Sequence, residues 1–383
     1  MNLLRLEPFR LFFPIGIALA FSGVMPWLFF GLGLSHSWPG AFHSWTMTQG
    51  FLTALAVGFL GTMIPRRTGT SPLTWTEIVF LAGALLLGPA LAQLGEWRAA
   101  QACFAVVLGA LLRFAVSRLA SGSRTQKPPP PSFVLLPLAV LGGFTGAVLL
   151  AIGEPGGVSP KALLGAKQLV QQGMILGLIL ALAPMLAPII VGGRPPHFSS
   201  EGRKARVTLN LGLGIVFLAS FVLEAVGWTR WGLFVRGVVC TALLGDVAWG
   251  LRREIQQGVH RALFLISMGL IPLGLLAAAL APVRRIQLLH VTFIGGFALM
   301  ALAVSVHVTM SHAMGGTASQ RRPPLVILGG VFLLGSTAVR VAAENHPQHF
   351  FHALVLAASL WLACVVAWGA FLLKGVTTRQ PKS

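Results

Sequence analysis

Apolar residues run in blocks of about twenty along most of the chain, separated by short polar connections. A helix needs about 20 such residues to cross a bilayer's hydrocarbon core. Twelve blocks qualify: residues 11–34, 43–64, 74–94, 98–118, 133–152, 169–191, 207–226, 231–251, 262–281, 286–310, 325–341 and 351–373. A membrane barrel would show ten-residue stretches of alternation instead. The pattern therefore predicts an all-α polytopic membrane protein, a bundle of twelve transmembrane helices. The first block is longer than the core of a secretory signal, and no small-x-small cleavage site follows it, so it reads as a membrane helix kinked at Pro26. The connections are short, which makes neighbouring helices antiparallel. The longest inner connections are 121–132, with a stiff tetraproline at Pro128–Pro131, and 192–206. The second divides the single integral membrane domain (1–383) into possible halves, 1–192 and 206–383, of six helices each, with no convincing sequence repeat between them. Pro184 and Pro188 predict a kinked or interrupted sixth helix.

Composition strengthens this reading. Only 10% of residues are charged, against about 25% in soluble domains. The net charge of +19 would suit a nucleic-acid binder, but the 28 Lys and Arg fall mostly in short loops. With both termini placed in the cytoplasm, 20 of these cations lie inside and 8 outside, the asymmetry that orients membrane proteins. The partner implied is the lipid bilayer, not nucleic acid. The pair Arg284-Arg285 is the clearest exception to the asymmetry and is a candidate for binding a headgroup or an anionic cofactor group. Cys103, Cys240 and Cys364 lie far apart in apolar blocks and read as buried apolar side chains.

Polar side chains at membrane depth are the candidates for chemistry. On the expected topology His36, His43, His290, His346, His349 and His352 fall at the outer helix ends. His307 and His312 lie toward the inner end of helix ten, and His197 and His260 in inner loops. His349 and His352 are three apart and share a helix face. Imidazoles from different helices at one depth suit a haem iron or copper. The expected ligand set is His43, His290 and His352, with Glu224, His349 and Trp45 around it. His307 and His312 are further cofactor candidates, although their spacing does not let one straight helix present both to one metal. Asp246 is expected to pair with an inner arginine, Arg113 being one candidate. Walker A, HExxH and nucleophile-elbow motifs are absent, and so is tyrosine.

The ordered set of short motifs resembles the NnrS family. It comprises Phe9-Arg10-Leu11-Phe12-Phe13-Pro14; His43, Met47 and Gly50; Gly58-Phe59-Leu60, Pro65, Thr68-Gly69 and Pro72-Leu73; Pro188 with Gly193-Arg194; Asn210; the His290-to-His312 helix; and Trp361. The resemblance implies a twelve-helix protein of the bacterial inner membrane that carries haem and copper and is linked to the response to nitric oxide. The chain departs from the family pattern at its second helix, where Phe42-His43-Ser44-Trp45-Thr46-Met47 stands in place of Trp-His-x-His-Glu-Met. Glu224 stands where a His is usual, and Ala313-Met314-Gly315 follows His312 in place of Thr-Gly-Arg. Two other classes compete. A twelve-helix secondary transporter fits the six-plus-six division, but few carboxylates are buried. A haem–copper-oxidase-like redox enzyme lacks its adjacent His-His pair here.

Overall fold

The computed structural model describes residues 2–121, 129–194, 198, 201–253, 255–313, 322–345 and 347–377. His197, His346, Pro128 and the loop cations Arg124, Lys127, Arg321, Arg379 and Lys382 lie outside the described residues. Among the described residues, twelve helices are long and apolar enough to cross a membrane: α1 (Phe9–Gly31), α2 (Gly40–Thr68), α3 (Trp75–Gln93), α4 (Trp97–Ser121), α5 (Pro131–Ile152), α6 (Pro160–Ile190), α7 (Arg203–Ala225), α8 (Thr229–Leu251), α9 (Val259–Leu280), α10 (Pro282–His312), α11 (Pro324–Asn345) and α12 (Pro347–Gly375). No strand occurs among the described residues.

Three helices differ from the rest. α2, α6 and α10 run 29, 31 and 31 residues, and 78, 72 and 67% of their apolar windows are buried, against at most 56% elsewhere. Each contains a π-helical stretch: Thr46–Leu52, Leu169–Gly173 and Val291–Ala298. All three outrun their apolar blocks. α6 starts early because Ser159 caps it, its hydroxyl accepting from Ala162 N at 3.3 Å, with Pro160 at the first helical position. Helical structure continues through Pro184 and Pro188, so α6 is not interrupted there. The Ser132 hydroxyl donates to Ala181 O at 2.8 Å, one residue beyond the carbonyl that Pro184 leaves without its usual donor.

Contacts group the chain into two units. The first comprises Met1–Gly16, Ser44–Pro184 and Pro196–Gly232. In it the N-terminal motif crosses the end of α2. Phe9, Phe12 and Phe13 are buried, and a Cβ at Gly58 would lie 3.1 Å from Phe9 Cα, so the glycine permits the close approach. Glu7 bridges two cations there, Arg10 Nε at 2.6 Å and Arg66 Nη2 at 2.8 Å. Gly69 ends α2 with a positive φ of 66°. A capping box of Thr74 and Glu77 opens α3, and the Glu77 carboxylate also meets Arg118 at 2.9 Å and Arg113 at 3.4 Å. Arg113 therefore pairs with Glu77, and the exposed Asp246 belongs to the other unit.

The second unit comprises Ile17–His43, Met185–Pro195 and Leu233–Ser383. Trp361 of α12, buried, donates Nε1–H to Ala20 O of α1 at 3.1 Å. Trp368 donates to the Ser305 hydroxyl of α10 at 2.9 Å. α9 packs against the π-helical stretch of α10, and the Thr292 hydroxyl donates across to Ile271 O at 2.9 Å.

Candidate functional site

Within the second unit, His43 and His290 lie within electrostatic reach of each other and of Arg340 on α11. The start of α10, Arg285–His290, packs against α11. Both histidines precede a π-helical stretch, His43 by three residues and His290 directly. Such stretches concentrate at functional sites.

Backbone carbonyls fix both rings. His43 Nδ1 lies 2.9 Å from Gly23 O of α1, and His290 Nδ1 lies 2.7 Å from Ile286 O one turn back. A carbonyl only accepts, so each Nδ1 carries the proton, and in the neutral ring Nε2 keeps its lone pair. That is the arrangement by which ligating histidines are usually oriented, one nitrogen held by a backbone oxygen and the other left for the metal. Trp27 stands edge-on to the His43 ring, with centroids 6.1 Å apart, and in turn packs on Trp38 at 4.9 Å.

Arg340 completes the group. Its side chain is 14% exposed, and its Nη1 is 3.7 Å from the Glu344 carboxylate, an ion pair too long for a hydrogen bond. That buried Nη1 has no hydrogen-bond partner among the described residues. Two imidazoles anchored through Nδ1 and a guanidinium whose Nη1 lacks a hydrogen bond are residues that could hold a haem iron or copper accompanied by an anionic group such as a propionate.

The other expected residues are placed differently. His349 and His352 are both exposed at the start of α12, their ring centroids 6.3 Å apart. Arg284 is exposed and donates to Asn345 Oδ1 at 3.1 Å, tying the entry of α10 to the end of α11; Arg285 is also exposed. Glu224 is 2% exposed but belongs to the first unit, where Gly232 lets the chain pack close to it. Trp45 is also in the first unit. It borders a small cavity with Thr46, Gln49 and Gln101, in which the two glutamine amides bond each other at 2.8 and 3.3 Å. Among the described residues no three His, Cys, Asp or Glu side chains are grouped to hold a metal ion.

His307 and His312 lie on α10 toward its far end from His290. His312 Nδ1 is tied to Val308 O at 2.9 Å. His307 Nδ1 faces His260 Nε2 at 3.5 Å, longer than a normal hydrogen bond. His260 is not in a loop: it sits in the first turn of α9, 1% exposed, and its Nδ1 has no partner among the described residues. Sequence reasoning missed this pairing, because His260 lies outside the apolar block. It also left Arg340 out of the site, although an arginine inside an apolar block is itself a signal.

Twelve long apolar helices with ionisable groups set among them define a polytopic all-α integral membrane protein. The family model described as NnrS protein matches residues 3–378. The chain belongs to the NnrS family. No curated protein matches it.

Proposed function

We propose that this NnrS-family protein binds haem at the His43–His290–Arg340 group and takes part in the response to, or protection from, nitric oxide. The observation that carries the reading is the pair of imidazoles pinned through Nδ1, which leaves the lone pair on Nε2, together with an arginine whose Nη1 lacks a hydrogen bond. When bound, haem iron supplies a centre that takes a diatomic gas as a ligand. His43 or His290 would supply a ligating nitrogen, Trp27 would limit how the His43 ring turns, and Arg340 would answer an anionic edge of the group. Copper is the second candidate for the same nitrogens. The location proposed is the bacterial inner membrane, with both termini in the cytoplasm.

Purified full-length protein, made with adequate haem and copper, tests this directly. The wild type is expected to show a Soret band, and His43→Ala or His290→Ala to diminish or abolish it. A colourless, metal-free wild type overturns the proposal, and the secondary-transporter reading then leads.

A further inference from the structure

A cavity of about 910 Å³ opens along α4 in the first unit, between α3 and α5. α4 packs against both of these helices, while α3 and α5 scarcely meet. The floor is therefore one face of α4, at positions 98, 102, 105, 106, 109, 110 and 113, which recur at helical spacing. Alanine and glycine at four of these positions keep the floor low, and Phe80, Phe144 and Val148 form apolar walls.

The groove is charged only at its ends. Arg98 marks one, its Nε bonded to Ala151 O at 2.9 Å. Glu77 and Arg113 mark the other, about 22 Å away at 1.5 Å per residue. At that second end the charges do not balance. Glu77 accepts from Thr74 N at 2.9 Å and from Arg118 at 2.9 and 3.2 Å. Arg113 reaches it only at 3.4 Å and keeps 72% of its side chain exposed. Two guanidinium groups thus share one carboxylate, and the exposed one faces the groove mouth beside Thr76. At the same end of this unit, among the described residues, Arg5, Arg10 and Arg66 outnumber Glu7.

We propose that this groove is a binding site for one anionic phospholipid, its phosphate on Arg113 and an acyl chain lying over Ala110, Val106 and Ala102. The charge matches: a phosphodiester carries one negative charge, and of the two cations on Glu77 Arg113 is the one held at the longer distance and left largely exposed. The length matches too. Arg113 to Ala102 is about 16 Å along the helix, and one leaflet of hydrocarbon is about 15 Å deep. An arginine fork suits phosphate oxygens better than a point charge does.

Full-length protein in nanodiscs of mixed phosphatidylglycerol and phosphatidylcholine, extracted and examined by native mass spectrometry, tests the site. The wild type should retain one phosphatidylglycerol in preference to phosphatidylcholine. Arg113→Gln should reduce that retention about tenfold, the loss of one charge-assisted contact. Ala110→Phe, which blocks the floor and leaves every charge in place, should reduce it as well. Lys161→Gln, which removes an exposed cation outside the groove, should leave it unchanged. Equal retention of both lipids, wild-type retention in Arg113→Gln and Ala110→Phe, or equal loss in Lys161→Gln overturns the proposal. None of these results bears on the Soret band.

Discussion

At the scale of single residues, the chemistry of the second unit rests on which atoms are already engaged. His43 and His290 spend Nδ1 on carbonyls and keep Nε2; Arg340 keeps Nη1. The three groups therefore have separable roles. Arg340→Gln removes the cation and leaves both imidazoles in place. Groups that support metal ligands from outside the coordination shell typically contribute a factor of about 10 to 100 in affinity. Titration of full-length Arg340→Gln with haem should show retention at least about tenfold weaker than wild type, with the Soret band still present at saturation. Unchanged affinity would remove Arg340 from the site. Of these residues, the histidines stood out in the sequence because polar groups are costly at membrane depth. Arg340 falls among the eight outer cations in the sequence, since an arginine near a helix end also serves topology. Only the fold shows that its side chain is largely buried, on the helix that packs against the start of α10, where His290 lies.

At the scale of elements, the π-helical stretches recur in every fourth helix, α2, α6 and α10, and these are also the most buried helices. A comparison of six-helix halves does not register a period of four. A π turn inserts one residue into the ladder, so the stretch changes which side chains face a neighbour. The α9–α10 contact depends on this at Gly274, where a Cβ would lie 2.6 Å from Thr292 N and 2.4 Å from the Thr292 hydroxyl. Gly274→Ala must push α9 away from the stretch that follows His290. Overpacking of this kind typically costs about 1–3 kcal/mol. Thermal unfolding in detergent should show the loss, and a melting temperature equal to the wild type's would mean that the contact relaxes freely. The family-like motifs receive a plain account at this scale. Gly58 admits the Phe9–Phe13 turns, and Trp361 clamps α12 to α1. Gly193, at φ 66°, leaves space for Gln256, whose Nε2 donates to Gly192 O at 2.9 Å.

At the scale of the whole molecule, the testable property is orientation. The distribution of the 28 cations assigns both termini to the cytoplasm and the first connection to the opposite side, an expectation drawn from the sequence. Reporter fusions at the N-terminus, at the C-terminus and in the 121–132 connection are expected to give cytoplasmic signals. A periplasmic signal at either terminus would reverse the assignment of His43 and His290 to the outer face. The two units interleave along the chain, since α1 and α2 each begin in one and continue in the other. His43 and Trp45 therefore fall in different units although only two positions apart, and Glu224 belongs with Trp45.

What the chain determined by itself is the set of helices. Twelve blocks of about membrane thickness can satisfy their backbone groups in hydrocarbon only by closing hydrogen bonds within each block. Length and hydropathy suffice to find them, and the order of short motifs sufficed to suggest the family. What only the tertiary structure decided is which polar groups meet. His260 and His307 are 47 residues apart and face each other at 3.5 Å; His43 is tied to Gly23 and lies within reach of Arg340, nearly 300 positions away. His352, at the same expected depth as His43, is exposed instead. Depth follows from position along a helix, but the direction a side chain faces follows from how that helix is rotated and where its ladder is shifted. The π-helical stretches and the glycine contacts set both, and neither leaves a mark in hydropathy.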